Sequence, residues 1–534
     1  MADIPTPELL IPPSRLVDWQ LFLSEDLGRS SYLFPTVTGS TGLQHGWQRL
    51  LTAVRRRIAI DLRALAAFRI ALGLLLLANL LTRARFLEVF YTDSGAFPRS
   101  TLLSTHPGAN QVFTYLPDPW GPILLFPVAG VFALALLVGY RTRLATAASL
   151  VLLILLHLRN PLVLNSGDLL LRSLLIWGLF LPLDCRWAID ARNYDVRDGT
   201  VSSVVTAAVL TQVVLVYAIN ATYKFDGPLW RSGEAVAYVF EADQLTYLLG
   251  DFLADFPALL VAATYLWMAL LVASPLLLVA TGRARTLLAS VFVVAHAGML
   301  VSMPIGLFPL ISIAGLLLFF PPTAWDVAGR VVGKSRFAVR IRSWSGRIEA
   351  AVAPSARLYP QWLRLGRVRG LLWIGIPAVV FALVLLSAGA TATDTDLPDP
   401  VETGIETANL QQEWRMFAPH PSRTTQWFAF PANRTDGTTV DAFYGGPAEL
   451  GRPPDAADTY PSNRWRKYLQ KVRGDDATAY RTALAEYLCT RWNRDHAIEI
   501  ERVAIYSGYE RTDPFTGESH ASGGRYVFRQ ECTG

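Results

Sequence analysis

Long apolar runs, separated by short polar connections, dominate the sequence up to residue 393. A helix needs about 20 mostly apolar residues to cross a bilayer, and the runs predict nine such helices. Seven of them lie near residues 58–82, 119–140, 143–161, 168–184, 200–223, 256–282 and 370–393. The other two come from the 40-residue uncharged stretch 286–325, which is twice the length of one span. Pro304, Gly306 and Pro309 predict a tight turn within this stretch.

The connections between these runs predict the orientation of the chain. Under the nine-span interpretation, five basic sets fall on one side of the membrane. The sets are Arg55 to Arg57, Arg141 with Arg143, Arg186 with Arg192 and Arg197, Arg283 with Arg285, and the segment 326–369. Because short basic loops stay in the cytoplasm, we expect the N-terminus inside and the C-terminus outside.

Composition and the nine-span interpretation together predict five parts of the chain. They are a cytoplasmic arm at 1–57, a transmembrane domain at 58–322, a basic cytoplasmic loop at 323–369, a last span at 370–393 and an extracytoplasmic domain at 394–534. The arm has no basic start followed by an apolar core, so no signal peptide is expected. In the basic loop, apolar residues at helical spacing between 337 and 352 predict an amphipathic helix on the inner leaflet.

The last 140 or so residues have the composition of a soluble domain. Alternating stretches predict strands at Gln426–Phe430, Thr438–Tyr444 and Ile498–Tyr506, and the segment Ala477–His496 predicts a helix. The predicted fold is therefore an all-α polytopic membrane domain followed by a small α+β domain. Cys489 and Cys532 lie on the oxidising side and are candidates for a disulfide, whereas Cys185 lies at an inner helix end and is expected to stay reduced.

Composition agrees with a membrane protein. The chain has 52% hydrophobic and only 17% charged residues, whereas about a quarter of the residues in soluble proteins are charged. The net charge of +5 comes from arginines in short loops, where they orient helices, so no nucleic-acid partner is expected. The sequence shows no metal-ligand spacing, phosphate-binding loop or nucleophile elbow, and no metal is expected.

One lysine is the leading candidate for chemistry. Only four of the 48 basic residues are lysines, and Lys224 closes an uncharged run of 25 residues, 199–223. Arginine keeps its proton in proteins, but a lysine loses it when the surroundings disfavour the charged amine. Lys224 is therefore a candidate base. The alternative is that it only caps a spanning helix and extends to the interface.

Further polar residues gather at the same predicted membrane face. The candidates for a pocket at this face are His157, Arg159, Asn165, Asp168, Arg172, Tyr223, Asp226 and Trp230, with His296 as a second catalytic candidate and Arg69 deeper in the first span. Ionisable groups at membrane depth usually face the bundle interior and are functional. Structural alternatives exist: Asp168 and Arg172 neutralise each other, His296 makes an interhelical hydrogen bond, and Arg69 pairs with Asp61 or a lipid phosphate.

Five phrases of the sequence resemble a known family. They are DLRALAAFRIALG at 61–73, RNPLVLNSGD at 159–168, LPLDCRWAID at 181–190, IGLFPL at 305–310 and EWRMFAP at 413–419. Together they resemble the HTTM family, the horizontally transferred transmembrane domain, which includes the vitamin K-dependent γ-glutamyl carboxylases. The resemblance covers about half of the chain.

The resemblance implies roles for particular residues. In the carboxylases a paired-lysine motif follows the fifth apolar segment, and its second lysine is the base that deprotonates reduced vitamin K. The matching stretch here is VYAINATYKFDGPLW at 216–230, in which Lys224 matches the second lysine and Tyr223 replaces the first. His296 matches the family histidine ahead of IGLFPL. An Asn-His pair of the animal enzymes is represented by Asn165 and Ser166, so that histidine is missing.

The implied reaction is a carbon-carbon lyase reaction coupled to quinone epoxidation. A neutral lysine takes a proton from reduced vitamin K or another hydroquinone, and oxygen adds to the resulting anion. The strongly basic alkoxide that forms then removes a γ-proton from glutamate so that CO2 adds. Asn165 and His296 then orient oxygens, and Arg172 stabilises an anion. The implied partners are the bilayer, a lipophilic quinone and a glutamate-containing secreted protein. The alternatives are an HTTM protein that binds lipid or quinone without carboxylation, a small-solute transporter and a membrane scaffold.

Overall fold

The computed structural model describes residues 41–106, 117–193, 199–333 and 371–532. The described residues up to Val54 belong to one compact unit and those from Arg55 onward to a second. A helix, Thr41–Ile58, carries three arginines in its last turn. The amphipathic helix predicted between 337 and 352, and most of the predicted N-terminal arm, lie outside the described residues.

Each of the nine predicted apolar segments contains a helix. In chain order these are α1 (Leu62–Ala84), α2 (Trp120–Val138), α3 (Thr142–Arg159), α4 (Ser166–Phe180), α5 (Val204–Asp226), α6 (Pro257–Ala273), α7 (Gly282–Ser302), α8 (Phe308–Leu316) and α9 (Ile376–Thr393). Within the described ranges, six of them are long and apolar enough to cross a membrane: α1, α2, α3, α5, α7 and α9. A bent pair, Phe308–Phe319 with Pro322–Val331, makes a seventh candidate if it counts as one span.

The count of nine spans is therefore not confirmed, and prolines explain why two of the shorter helices, α4 and α6, end early. A residue before proline is disfavoured in the helical conformation. Helix α4 stops at Phe180, two residues before Pro182, and has 15 residues. Helix α6 ends at Ala273, two residues before Pro275, and has 17 residues. Together with the apolar helices, these features define a mostly helical, multi-pass membrane domain.

Shorter elements connect the long helices. They are α-helices Leu87–Tyr91, Arg99–Thr105, Pro228–Ser232, Ala235–Phe240, Leu249–Ala254, Leu276–Val279, Pro322–Gly333 and Asp399–Thr407, and 3-10 turns Pro161–Val163, Ile189–Asn193, Asp243–Leu245, Leu317–Phe319 and Ala456–Thr459. A π-helical turn, Leu371–Gly375, precedes α9. Strands β1 (Ile60–Asp61) and β2 (Thr200–Val201) pair next to the start of α1.

The C-terminal domain is an antiparallel sheet with two helices. Its strands are β3 (Thr425–Ala429), β4 (Pro431–Arg434), β5 (Thr439–Asp441), β6 (Ile500–Thr512) and β7 (Ser519–Glu531), and its helices are α10 (Asn463–Arg473) and α11 (Thr478–Asp495). The long strand β6 pairs with β7 on one edge and with β3 and β4 on the other, and β4 also pairs with β5. The predicted α+β domain is confirmed, with β4, β7 and α10 as additions.

Aromatic packing joins this domain to the loops of the membrane domain. The ring of Phe90 lies 4.9 Å from Trp465 and 5.6 Å from Tyr468, centroid to centroid. The Tyr468 hydroxyl donates to the carbonyl of Ala96 at 2.6 Å. Cys489 and Cys532 form the predicted disulfide, which ties α11 to the chain end. Cys185 is free.

Candidate functional site

A cavity of about 710 Å³ lies where the membrane helices meet the C-terminal domain. Its wall comes from α5, α6, α7, the start of α4, the segment 413–420 and helix α10. Three of the predicted site residues line it: Asn165, Lys224 and Trp230. The volume lies in the range of about 300–1,000 Å³ that small-molecule sites occupy.

Lys224 is buried near the end of α5, with 2% of its surface exposed. Its Nζ donates to the carbonyl of Met416 at 3.1 Å and lies 3.1 Å from the centre of the Trp230 ring. No ion pair joins Lys224 to a carboxylate among the described residues. The amine therefore faces the cavity with one backbone acceptor and an aromatic face, instead of extending to the membrane interface.

The segment Trp414–Phe417 supplies a row of backbone acceptors beside Lys224. Asn220 donates its amide hydrogens to the carbonyls of Trp414 at 2.7 Å and Met416 at 3.2 Å, and Trp230 Nε1 donates to Phe417 at 2.9 Å. The family phrase at 413–419 and the lysine motif at 216–230 therefore form one local structure, although about 190 positions separate them.

Buried amides hold this segment in the membrane domain. The Oε1 atom of Gln412 accepts from Gln212 at 2.8 Å and from Trp414 at 2.9 Å. The backbone N–H of Gln412 donates to the Ser387 hydroxyl in α9 at 3.0 Å. Since buried polar groups are costly when unpaired, this network fixes the position of the segment.

Gly227 allows the chain after Lys224 to pass close to the same segment. A Cβ atom added at Gly227 would lie 2.0 Å from the carbonyl oxygen of Pro419. No side chain fits there without displacing the backbone of the 413–419 segment, so this position requires glycine.

Aromatic and aliphatic side chains form the membrane-facing wall of the cavity. Tyr217, Trp267 and Phe308 line it, together with Leu266, Leu270 and Met299. His296 lies behind them and does not line the cavity: its ring centroid is 5.7 Å from Tyr217, 5.8 Å from Trp267 and 6.0 Å from Phe308. Its Nδ1 is 2.8 Å from the carbonyl of Phe292. This hydrogen bond lies within α7, and no hydrogen bond from His296 to another helix occurs among the described residues. Its catalytic role stays a prediction.

Helix α10 closes the cavity from the C-terminal domain. Asn463 donates to the carbonyl of Pro304 at 2.8 Å and accepts from Asn165 at 3.2 Å. Arg466 donates to the carbonyls of Gln244 at 2.8 Å and Pro304 at 3.1 Å. The proline turn that was predicted from the uncharged stretch therefore serves as a docking surface for α10.

The cavity holds more positive than negative side chains. Glu413 and Arg415 line its more exposed part and pair at 3.7 Å. The remaining cations are Lys224, Arg466 and Lys467. Burial, together with the charges of Arg466 and Lys471, lowers the pKa of Lys467 to about 8. These three cations have no carboxylate partner among the described residues.

Asp168 lies outside the cavity lining, in a separate buried cluster. Its carboxylate accepts from Arg83 at 2.8 Å, from Asn79 at 2.9 Å and from Arg464 at 3.2 Å. It also caps the start of α4 by accepting from the backbone N–H of Asn165. Because Arg464 lies in α10, this cluster links the C-terminal domain to the membrane helices.

The other predicted residues do not line the cavity, and most contact partners other than the expected ones. Arg172 donates to Asn409 rather than pairing with Asp168. Arg69 does not pair with Asp61: it donates to the carbonyls of Leu136, Leu137 and Trp187, and Asp61 pairs with Arg63. His157 lies 3.9 Å from Asp168, Arg159 donates to Phe97, the Tyr223 ring lies under Arg415, and Asp226 is exposed. Their roles in binding stay predictions.

The residues that sequence reasoning missed come from the C-terminal domain. Arg466, Lys467 and Asn463 line the cavity but belong to a polar helix that resembles an ordinary solvated surface. One signal was available: Lys467 is one of only four lysines in the chain, like Lys224. Among the described residues, no group of three or more His, Cys, Asp or Glu could hold a metal ion.

Fold and site together define a multi-pass membrane protein with a cavity between its helices and a C-terminal α+β domain. The HTTM domain model matches residues 58–325, half of the chain, and the chain therefore belongs to the HTTM family. Neither a curated protein nor a solved structure matches it. The 413–419 segment and α10, which complete the cavity, lie beyond the matched region.

Proposed function

We propose that this protein binds a reduced lipophilic quinone of the vitamin K type and couples its oxidation to the carboxylation of glutamate in a secreted protein or peptide. One observation carries the proposal. Lys224 is a buried amine, and it lies in a single cavity that has an apolar wall from the membrane helices and a cationic wall from the C-terminal domain.

The apolar wall suits the quinone. A quinone ring is flat and apolar, and Tyr217, Trp267 and Phe308 provide aromatic surface in the same cavity as Lys224. Asn165 also lines the cavity and can donate a hydrogen bond to a quinone oxygen. The proposal assigns no direct contact to His296 or Arg172, because neither lines the cavity.

Lys224 is the proposed base. Its amine has no described carboxylate partner that would hold it in the charged form, and it is enclosed by Trp230 and the 413–419 segment. Proton transfer by a positioned side chain typically contributes about 10²–10⁴-fold to a rate. When bound, the reduced quinone would react with dioxygen and be converted to its epoxide, and this reaction would make removal of a glutamate γ-proton feasible. The protein holds the reactants together and keeps out bulk water.

The proposed orientation puts the C-terminal domain outside the cytoplasm of the cell membrane. The basic connections of the helical domain support it, because such loops are retained inside. The Cys489–Cys532 disulfide supports it as well, since disulfides persist in oxidising compartments. A secreted acceptor would then reach the cavity from the side of the C-terminal domain.

The test combines two products in one reaction. Purified full-length protein is incubated with reduced vitamin K, hydrogencarbonate and a glutamate peptide, and quinone epoxide and peptide mass are measured. Wild-type protein is expected to form both products, and Lys224→Ala to lose at least about 100-fold in rate. Lys471→Ala is the matched control, because Lys471 is exposed and does not line the cavity.

The two products separate the proposed reaction from its alternatives. Neither product from wild-type protein would contradict the carboxylase proposal for these substrates. Epoxide without a change in peptide mass would indicate quinone oxidation without carboxylation. Full activity of Lys224→Ala would contradict the assignment of the base even if both products form.

A further inference from the structure

Helix α10 brings two cations to the cavity that the quinone reaction does not use. Arg466 is only 4% exposed, and Lys467, which is partly buried, follows it on the same lining surface. The Lys467 amine has no hydrogen bond or ion pair with any residue in the described ranges. Arg466 donates to two backbone carbonyls but has no carboxylate partner there.

Enclosed charge of one sign is energetically costly. A buried cation is normally paired, because the loss of hydration is not offset otherwise. The acidic residue that lines the cavity, Glu413, is already paired with Arg415 and is more than half exposed. The cationic wall therefore lacks a partner that the described part of the protein could supply, and an anionic ligand would provide one.

We propose that Arg466 and Lys467 form a carboxylate-binding subsite, in which Lys467 contacts the carboxylate of the second substrate and Arg466 supplies positive potential. The division of roles follows from the geometry. Both ends of the Arg466 guanidinium already donate to carbonyls, whereas the three hydrogens of a Lys467 ammonium are available.

Neighbouring groups complete the subsite. Asn463 and Gln470 line the same cavity from the same helix and carry amide groups that can donate to carboxylate oxygens. The position of α10 is fixed by Arg464, which bonds to Asp168 and to the carbonyl of Val163 at 3.1 Å. The subsite is thus held on a docked helix of the C-terminal domain.

The inference rests on the proposed function only in taking glutamate as the acceptor. A planar CO2− group with one negative charge occurs in two components of the proposed assay, the glutamate side chain and hydrogencarbonate, which supplies the CO2. We assign the subsite to this shared chemistry, and the experiment separates the two sources.

The experiment measures binding and needs no turnover. Purified full-length protein in detergent is titrated with a capped glutamate peptide, its glutamine counterpart and hydrogencarbonate. Wild-type protein is expected to bind the glutamate peptide about tenfold or more tightly than the glutamine peptide, since only the glutamate carboxylate forms a charge-assisted hydrogen bond with Lys467. Lys467→Gln is expected to bind both peptides equally, and Lys471→Gln to behave as wild type.

Folding is controlled by the melting curve of each variant and by Lys467→Met, which keeps a long side chain without a donor. Equal affinity of wild-type protein for the glutamate and glutamine peptides, with no Lys467-dependent binding of hydrogencarbonate, would overturn the inference. Unchanged discrimination in Lys467→Gln would overturn it as well. Lys467-dependent binding of hydrogencarbonate alone supports the subsite and assigns it to the carbon source.

The outcome is independent of whether the protein carboxylates. If wild-type protein forms no product but distinguishes glutamate from glutamine through Lys467, the proposed reaction is contradicted and the subsite is supported. If Lys467→Gln forms both products as well as wild type, with the same KM for peptide and hydrogencarbonate, the reaction is supported and the subsite is contradicted.

Discussion

Two regions of this protein bury charge, and they differ in how fully that charge is paired. Around Asp168, one carboxylate is surrounded by Arg83, Arg464 and Asn79, each within hydrogen-bond distance. In the cavity, Lys224 and Lys467 have no carboxylate partner among the described residues. The paired cluster holds the two domains together, whereas the unpaired cations are the groups that a ligand can engage.

The largest expected effect is on the paired cluster. Asp168→Asn leaves Arg83 and Arg464 without their carboxylate, and breaking a buried ion pair in this way costs about 3–5 kcal/mol. We expect a large drop in the melting temperature of the detergent-solubilised protein. Asp226→Asn is the control, because Asp226 is exposed and its loss should cost less than about 0.5 kcal/mol. A variant at 168 as stable as wild type would remove the distinction between the two regions.

Gly227→Ala tests how tightly the lysine motif meets the 413–419 segment. The added Cβ would lie 2.0 Å from the Pro419 carbonyl oxygen, and such overpacking costs roughly 1–3 kcal/mol. We expect a lower melting temperature and reduced quinone oxidation. Gly404→Ala is the matched control, since nothing lies within 4 Å of its added Cβ. Equal behaviour of the two variants would contradict the close approach.

Replacing Lys224 should not lower the melting temperature as replacing Asp168 does. Lys224→Met replaces a buried amine that has no described carboxylate partner with an apolar side chain of similar length. Because a buried amine with one backbone hydrogen bond and no described carboxylate partner adds little stability, we expect an unchanged or higher melting temperature together with lost activity. A loss of stability as large as that of Asp168→Asn would show that Lys224 is structural.

The smallest expected effect is a pH dependence of anion binding. The pKa of Lys467 is lowered to about 8, so its amine is protonated below that pH and loses its charge above it. Affinity for the glutamate peptide should therefore fall as pH rises above about 8 in wild type, while Lys467→Gln shows a flat profile over this interval. The charged groups nearby are Arg466 and Lys471 on its own helix, and Lys224, Glu413, Arg415 and His420 in the cavity wall.

The sequence predicted the parts of the fold that depend on local pattern. Apolar runs predicted nine helical segments, and each segment contains a helix. Alternation predicted the strands that the structure shows as β3, β5 and β6. Where the structure differs from the prediction, either a proline ends a helix early or a mixed sequence pattern conceals a strand. Strand β7, for example, is mostly exposed and contains two adjacent glycines, so it shows no regular alternation.

The site was predictable only in part, because its residues come together from distant positions. The rarity of lysine identified Lys224, and residues 413–419 were among the family phrases, but only the structure brings the two together. The partners of Asp168 were not predictable from spacing: Arg83 and Arg464 are 85 and 296 positions away, whereas the expected partner Arg172 is four residues away on the same helix. Lys467 was missed because it lies on a helix whose sequence is typical of a solvated surface.

The central claim is that the Lys224 amine takes a proton from the reduced quinone. The most direct measurement is epoxide formation by Lys224→Ala with added small primary amines, beside Lys224→Arg. The proposed role predicts that the alanine variant regains activity in proportion to the free amine, because the vacated space admits a replacement base, and that the arginine variant stays inactive because it keeps its proton. Activity of Lys224→Arg near the wild-type level, or an inactive alanine variant that no amine restores, would contradict it.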